Sequence, residues 1–224
     1  MHSREQTVYT KSMNKGFWAI IIVIVIIFGG FLVLHSNKAG APVNANVKPT
    51  THVIGKGTSG VVLVEYGDYQ CPFCGQYYPI VKAVQEKYSD EITFQFRNLP
   101  LLQLHQNALA GARAAEAAAL QGKFWEMHDM LYENQAAWAQ SSKALAVFQG
   151  YARQLGLNVD QFTKDFGSSL LNDTINADVA EFNKTKQQLS TPTFFLDGKK
   201  IKATSVEEFS KLIDAEIAAK AKDQ

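Results

Sequence analysis

The sequence predicts a mixed α/β domain that contains an inserted helical subdomain and is preceded by a transmembrane helix. Three observations support this prediction. An uncharged apolar run covers residues 17–34, strand-like segments occur early and late in the remaining chain, and a long helical block separates them. The resulting order of strand, helix, strand, helical block, hairpin and helix is typical of layered α/β domains.

The N-terminal apolar run, FWAIIIVIVIIFGGFLVL, is long enough to cross a bilayer. It occupies residues 17–34 without a charge, and about 18 apolar residues suffice for a transmembrane helix. A cleaved signal peptide is the main alternative, because Ala39-Gly40-Ala41 resembles a cleavage site, although signal peptides usually have apolar cores of about 7–15 residues. A buried core helix is the third possibility.

Charges near the run indicate its orientation. Arg4, Lys11 and Lys15 precede it, whereas Lys38 and Lys48 follow it closely. The positive-inside rule modestly favours a cytoplasmic location for residues 1–16. We therefore expect a single-pass protein of the cell membrane whose C-terminal domain is extracytoplasmic.

A linker is predicted to hold the domain away from the bilayer. Residues 35–57 are mostly small or polar and include Pro42 and Pro49, which is typical of a flexible segment. The domain then takes residues 58–224, with the helical insertion at about residues 103–189.

The first half of the domain predicts a strand, a helix and a second strand. Val61–Tyr66 is a nearly continuous β-branched run, typical of a strand covered on both faces. A helix is expected from Cys71-Pro72, because proline suits the first helical position. Residues 92–96 alternate like a half-buried strand.

The second half predicts helices, a hairpin and a last helix. An alanine-rich segment at residues 108–120 is followed by apolar stripes at helical spacing. Thr193–Leu196 then meets Asp197-Gly198, a dipeptide of tight hairpin turns. Ser205 and Glu208 form a capping-box pattern that opens the final amphipathic helix.

The overall composition excludes several functional classes. The chain of 224 residues has a net charge of +1 and 46% hydrophobic residues, which argues against a nucleic-acid-binding protein and against a disordered tail. No phosphate-loop, HExxH or EF-hand pattern is present. We therefore expect neither a nucleic-acid partner nor a metal.

Cys71 and Cys74 are the only cysteines, in the stretch GDYQCPFCGQYYP. As a structural staple they would close a four-residue loop worth only about 2 kcal/mol, against about 4.7 kcal/mol for a 100-residue loop. A structural zinc site needs four ligands, and no second pair exists. Redox chemistry fits better, because a helix N-terminus stabilises a thiolate and such a thiolate is a good leaving group.

Three segments carry a family resemblance: VEYGDYQCPFC, HQNALAGARAAEAAALQGKFWEMHDMLYENQ and STPTFFLDGKKI. Together they resemble the DsbA-like thiol-disulfide oxidoreductases of the thioredoxin superfamily, in particular the membrane-anchored bacterial members, over about residues 52–220. The resemblance implies a thioredoxin fold with a helical insertion. It also implies an enzyme that introduces disulfides into extracytoplasmic proteins, needs no dedicated cofactor and is reoxidised by a quinone-linked membrane partner.

The resemblance also assigns roles to individual residues. Cys71 matches the exposed attacking cysteine and Cys74 the resolving cysteine. Pro192 matches the cis-proline beside the cysteine pair. Thr191 precedes it in a loop that pairs with the substrate backbone by strand addition.

Further residues are candidates for supporting roles. Glu65 matches a buried acid of the family and could relay protons to the inner thiol, although a strand-end glutamate could equally reach water. Pro72, Phe73 and Tyr69 are candidates for a substrate surface, with loop packing as the alternative. Asp68 is open to the same two interpretations.

Phe73 departs from the family pattern, because strongly oxidising members commonly carry histidine before the second cysteine. A disulfide reductase or isomerase is therefore the nearest alternative, and a non-catalytic tethered chaperone or binding module is a more distant one. Of the histidines, His128 lies on an apolar helical stripe and is expected in the core. His105 is expected to cap or position a helix.

Overall fold

The computed structural model describes residues 47–222. Within this range a five-stranded sheet has the order β1-β3-β2-β4-β5. β2 and β3 are parallel, and the other neighbouring pairs are antiparallel. The strands are β1 (His52–Ile54), β2 (Val61–Gly67), β3 (Ile92–Asn98), β4 (Thr193–Leu196) and β5 (Lys199–Ile201).

Helices account for most of the remaining described chain. α1 connects β2 to β3, six helices lie between β3 and β4, and the last helix follows β5. The prediction of an α/β domain with an inserted helical block is thereby confirmed. The helices are α1 (Pro72–Lys87), α2 (Ala108–Ala119), α3 (Phe124–Glu133), α4 (Gln135–Trp138), α5 (Ala144–Gln154), α6 (Val159–Phe166), α7 (Ser169–Lys184) and α8 (Val206–Lys220).

The central strand β2 is covered unequally on its two faces. Val61 and Leu63 are fully buried on one face, whereas Val62 and Val64 on the other face are partly exposed. The expectation of a strand covered on both faces is therefore wrong for its first half, where one face is partly exposed. A groove of about 400 Å³, whose lining includes Val64 and Arg97, remains open on that side.

β1 lies within the segment predicted as a linker over residues 35–57. It pairs with β3 at the sheet edge, and the Thr50 N–H and Oγ1 both donate to Asp178, at 2.7 and 2.8 Å. His52 Nε2 lies 2.9 Å from Glu116 Oε1, and its ring stacks on Phe124. The folded domain therefore begins earlier than residue 58. Polar contacts hold this segment, so it has no hydrophobic periodicity that would have predicted a strand.

The late hairpin and helix form where the sequence predicts them. Asp197 and Gly198 have φ angles of 45° and 79°, as a tight two-residue turn between antiparallel strands requires. Ser205 Oγ accepts from the Glu208 N–H, which caps α8. The predicted reciprocal half of the capping box is absent, because the Glu208 carboxylate instead accepts from the N–H and Oγ1 of Thr204.

The predicted membrane span at residues 17–34 lies outside the described residues. Between residues 47 and 222, no helix combines the length and apolar character needed to cross a bilayer.

Candidate active site

Cys71 occupies the N-cap position of α1, and Pro72 takes the first helical turn. Both cysteines are free thiols. The Cys71 S–H donates to the Thr191 carbonyl oxygen at 3.5 Å. Cys71 is only 4% exposed, so the expectation of an exposed attacking cysteine is wrong.

The surroundings of Cys71 favour its thiolate. They lower the pKa of Cys71 to about 5, chiefly through the hydrogen bond from the Cys74 thiol. The Thr191 side chain and the backbone N–H groups of Cys74 and Phe73 lower it further, while burial opposes them. Because these N–H groups belong to the first turn of α1, the helix terminus supplies part of the effect.

Cys74 has the opposite character. It has no exposed surface, and burial raises the pKa of its thiol well above the usual value. Its sulfur accepts from the Asp68 N–H at 3.5 Å. One thiol of the pair is therefore poised as a nucleophile and leaving group, and the other is held protonated.

Glu65 lies in the core of the sheet, as expected for a buried acid. It is 4% exposed. Burial, and secondly the negative charge of Cys71, raise its pKa to about 8. At neutral pH the carboxyl is therefore mostly protonated and can act as a proton donor.

The loop before β4 completes the site. The Thr191–Pro192 peptide bond is cis. Thr191 is 9% exposed. While Cys71 is a protonated thiol, the Thr191 hydroxyl has no hydrogen-bond partner among the residues that the structure describes, so it is available to donate to the Cys71 thiolate. The structure thus brings Thr191 and Pro192 to Cys71 across 120 residues of sequence.

The candidates for a substrate surface divide into two groups. Phe73 is 62% exposed, and Pro72 is exposed as well. Tyr69 is 1% exposed, so its predicted place in the substrate surface is wrong: the ring packs against Phe96 and Tyr132 in the core.

Asp68 is also buried and organises the loop before the cysteines. Its carboxylate accepts from the N–H groups of Gln70 and Leu101, and His105 Nδ1 lies 2.7 Å away. His105 therefore positions this loop. His128 is 3% exposed, and burial lowers its pKa to about 3, as suits a neutral core histidine.

Two glutamines that the sequence does not point to, one in each segment, connect the cysteine loop to the helical insertion. Gln135 Nε2 donates to the carbonyl oxygens of Tyr69 and Cys71, at 2.7 and 2.9 Å. Gln70 Nε2 donates to the Ala139 carbonyl. Glutamine on a helix carries no sequence signal for such a role, because only the fold brings it to the loop.

A groove of about 330 Å³ runs beside Cys71. Its lining includes Phe73, Tyr77, Pro192, Ile201 and Lys202. Across residues 47–222, no cluster of three or more histidine, cysteine, aspartate or glutamate side chains is arranged to hold a metal ion.

Comparisons with known proteins agree with this geometry. The family model described as Thioredoxin matches residues 47–215.

Among curated proteins, the Na(+)/H(+) antiporter NhaA 1 of Mycobacterium sp. (strain KMS) is 36% identical over 160 residues, which is 67% of this chain and 24% of the antiporter. The NhaA 1 protein of Salinispora arenicola (strain CNS-205) is 36% identical over 154 residues, which is 66% of this chain and 22% of that protein. The chain thus spans about a quarter of the length of the curated relatives it matches.

Solved structures share the fold at lower identity. BdbD from Bacillus subtilis superposes with a TM-score of 0.67 and 23% identity, covering 77% of this chain and 97% of BdbD. Wolbachia pipientis alpha-DsbA1 gives a TM-score of 0.68 and 17% identity, covering 82% and 99%. The chain belongs to the thioredoxin family, and it shares its fold with BdbD and alpha-DsbA1.

Proposed function

We propose that this protein is a membrane-tethered thiol-disulfide oxidoreductase that introduces disulfides into extracytoplasmic proteins. The proposal rests on the opposite pKa shifts of the two cysteines. The pKa of Cys71 is lowered to about 5, and that of Cys74 is raised well above its usual value. Stabilising one thiolate stabilises the reduced form. The disulfide form is correspondingly a stronger oxidant.

The size of this effect favours oxidation over reduction. At pH 7, which is two pH units above the pKa of Cys71, thiolate formation stabilises the reduced form by about 2.7 kcal/mol. For a two-electron couple this corresponds to about 60 mV. Phe73 replaces the histidine common in oxidising relatives, but the Cys74 thiol, Thr191 and the helix N–H groups lower the pKa without an imidazole.

The reaction starts from a Cys71–Cys74 disulfide. A substrate thiolate attacks Cys71 Sγ, the sulfur–sulfur bond breaks, and Cys74 leaves with the electron pair. Cys74 takes a proton from Glu65, whose pKa of about 8 keeps it protonated at neutral pH. A second substrate thiolate then attacks the substrate sulfur of the mixed disulfide. Cys71 leaves as its thiolate, so two electrons pass from substrate to enzyme.

The surface around Cys71 supports a polypeptide substrate. The groove beside it has apolar walls at Phe73, Tyr77 and Ile201. The Thr191–Pro192 loop presents backbone polar groups to an extended segment. A quinone-linked membrane partner would return the two electrons to the respiratory chain and restore the disulfide.

A redox titration against glutathione tests the direction of electron flow. We expect a potential well above the value of about −270 mV of thioredoxin and towards the value of about −120 mV of DsbA. Cys71→Ser should abolish disulfide transfer to a reduced substrate protein, and Cys74→Ser should accumulate mixed disulfides. A potential near −270 mV would instead establish a reductase.

The tether is tested by extraction of membranes at alkaline pH. The proposal predicts that the full chain stays in the membrane pellet because of residues 17–34. Ile22→Arg combined with Ile24→Arg should release it. A wild-type chain that is itself recovered in the supernatant would refute the anchor.

A further inference from the structure

Tyr132 on α3 has a buried hydroxyl with no role in the reaction described above. The residue is 6% exposed, and its Oη has no hydrogen-bond partner within the described part of the chain. The hydroxyls of the two neighbouring tyrosines do have hydrogen-bond partners. Tyr69 Oη lies 3.1 Å from His128 Nδ1, and Tyr78 Oη donates to Glu133. Since burying an unpaired hydroxyl costs free energy, a retained one calls for an explanation.

The hydroxyl lies over the end of β2, on the face of the sheet that also carries Glu65. Side chains two residues apart on a strand point to one face, about 6.6 Å apart, so Glu65 and position 67 share a face. Position 67 is a glycine, and a Cβ built there would lie 2.9 Å from Tyr132 Oη. The Phe96 ring, at 2.5 Å, and the Tyr132 hydroxyl together fill the place that a side chain at position 67 would take.

Cys74 reaches the same end of β2. Its sulfur accepts from the Asp68 N–H at 3.5 Å, one residue beyond Gly67. The titratable groups that face Tyr132 come from β2, the cysteine loop, α1 and its own helix: Glu65, Asp68, Tyr69, Cys74, Tyr78 and His128.

We propose that Tyr132 is a positioning residue that donates its hydrogen bond to whichever of Cys74 and Glu65 carries the negative charge, and so promotes proton transfer between them. When Cys74 leaves as a thiolate, the Glu65 proton moves to its sulfur and a carboxylate remains. When Cys74 attacks a mixed disulfide, the proton moves back to Glu65. Because the hydroxyl hydrogen rotates freely, one donor serves both states.

This inference rests on the proposed disulfide exchange and deepens it. The pKa of Tyr132 itself is raised by burial and then by the charges of Cys74 and Glu65, so the phenol stays protonated and remains a donor. The group therefore acts by orienting a hydrogen bond and not by losing its own proton.

The test uses the full-length protein with Cys71 loaded as a mixed disulfide with glutathione. Release of glutathione by Cys74 is followed across neutral and alkaline pH in wild type and in Tyr132→Phe, which removes only the hydroxyl. We expect the midpoint of the pH profile to move upward by about one unit. Release at pH 7 should then be about tenfold slower, the loss expected for one hydrogen bond to a charged group.

Two controls separate this role from a structural one. Tyr78→Phe removes a hydroxyl from the ring stacked on Tyr132, at 5.4 Å between centroids, and should leave the profile unchanged. The rate at which iodoacetamide alkylates Cys71 should be the same in Tyr132→Phe as in wild type. If Tyr132→Phe lowered the rate of Cys71 alkylation and the rate of glutathione release equally, the substitution would be disturbing the active site as a whole, and the proposal would be overturned.

The double variant of Glu65→Gln with Tyr132→Phe provides a second, independent test. If Tyr132 acts through this acid, adding Tyr132→Phe to Glu65→Gln should slow release much less than it slows the wild type. An unchanged pH profile in the single variant, or full additivity in the double variant, would refute the role of Tyr132. A wild-type protein that releases no glutathione would refute the proposed function instead.

Discussion

The two cysteines differ in acidity because each meets a different part of the fold. Cys71 lies at a helix terminus against the Thr191–Pro192 loop, and Cys74 lies one turn deeper without exposed surface. Neither environment is visible in the tetrapeptide CPFC itself. The local sequence predicts the chemistry and supplies the Cys74 thiol and the helix N–H groups that favour the Cys71 thiolate. Thr191, which lies 120 positions away, and the burial of both sulfurs come from the fold.

The Thr191 hydroxyl should contribute to the acidity of Cys71. Thr191→Val removes the hydroxyl at nearly constant volume and should raise the pKa of Cys71 by about one unit, the value of one hydrogen bond to a charged group. The ultraviolet absorbance of the thiolate, recorded against pH on the reduced protein, measures this change. Thr174→Val on α7 is the control, and equal titration curves for wild type and Thr191→Val would contradict the prediction.

Glu65 should make the folded state less stable as the pH rises. Its folded pKa of about 8 exceeds its ordinary value of 4.5, so the contribution is favourable below pH 4.5 and is lost as the pH rises through 8. Glu65→Gln removes this loss. Relative to wild type, the variant should gain about 2–4 kcal/mol in free energy of unfolding between pH 5 and pH 8.

This difference is measured by denaturant unfolding of the oxidised protein, in which neither cysteine titrates. Burial, the larger cause of the raised pKa, is unchanged by oxidation. The exposed Glu91→Gln is the matched control. A pH-independent difference between Glu65→Gln and wild type would show that the carboxyl reaches water.

At the scale of elements, β1 is held by a buried carboxylate. Asp178 on α7 has no exposed surface and accepts from the Thr50 N–H, the Thr50 hydroxyl and the Asn98 N–H. Arg97 Nη1 lies 3.3 Å from the same carboxylate. One side chain therefore joins the segment that leads into β1, the neighbouring strand β3 and the helical insertion.

Asp178→Ala should loosen β1 before the rest of the domain. We expect a loss of about 3–5 kcal/mol in free energy of unfolding, because several buried donors and Arg97 lose their partner. Hydrogen exchange should accelerate most in residues 50–54. Asp173→Ala on the same helix is the control, and uniform acceleration across the sheet would contradict a local role.

The sequence predicts the elements whose stability comes from regular apolar patterns. The strands β2 and β3, the hairpin and the apolar stripes of the insertion all follow from periodicity and turn residues. The strand β1 and the supporting residue Gln135 could not be predicted this way, because polar contacts between distant segments place them. The sequence leaves Tyr69 open to a substrate surface or to loop packing for the same reason: its burial depends on α3, which packs over it only in the fold.

At the scale of the whole molecule, oxidation state and stability are linked through Cys71. Its folded pKa of about 5 is below the ordinary 9.0, so thiolate formation adds stability that is complete above pH 9 and is lost as the pH falls through 5. At pH 7 this amounts to about 2.7 kcal/mol. The disulfide, which closes only four residues, contributes about 2 kcal/mol to the oxidised form.

The reduced protein should therefore be slightly more stable than the oxidised protein at pH 7. Its advantage should grow towards pH 9, and the order should reverse in mild acid, with the crossing between about pH 6 and pH 7. Denaturant unfolding of both forms across this range measures the two curves. Cys71→Ser should remove from the reduced form the part of the pH dependence that Cys71 contributes, while the part from Glu65 stays. An oxidised form that remains the more stable at pH 8 would contradict the assigned acidity.

The complete burial of Cys74 makes the disulfide asymmetric towards any macromolecular reductant. A bulky thiol can approach only one of the two bonded sulfurs, so its attack is regioselective without a dedicated recognition element. Every covalent conjugate then forms at the same atom and in the same orientation beside the Thr191 carbonyl. Conjugates trapped in cells should map to a single cysteine, whatever the identity of the captured protein.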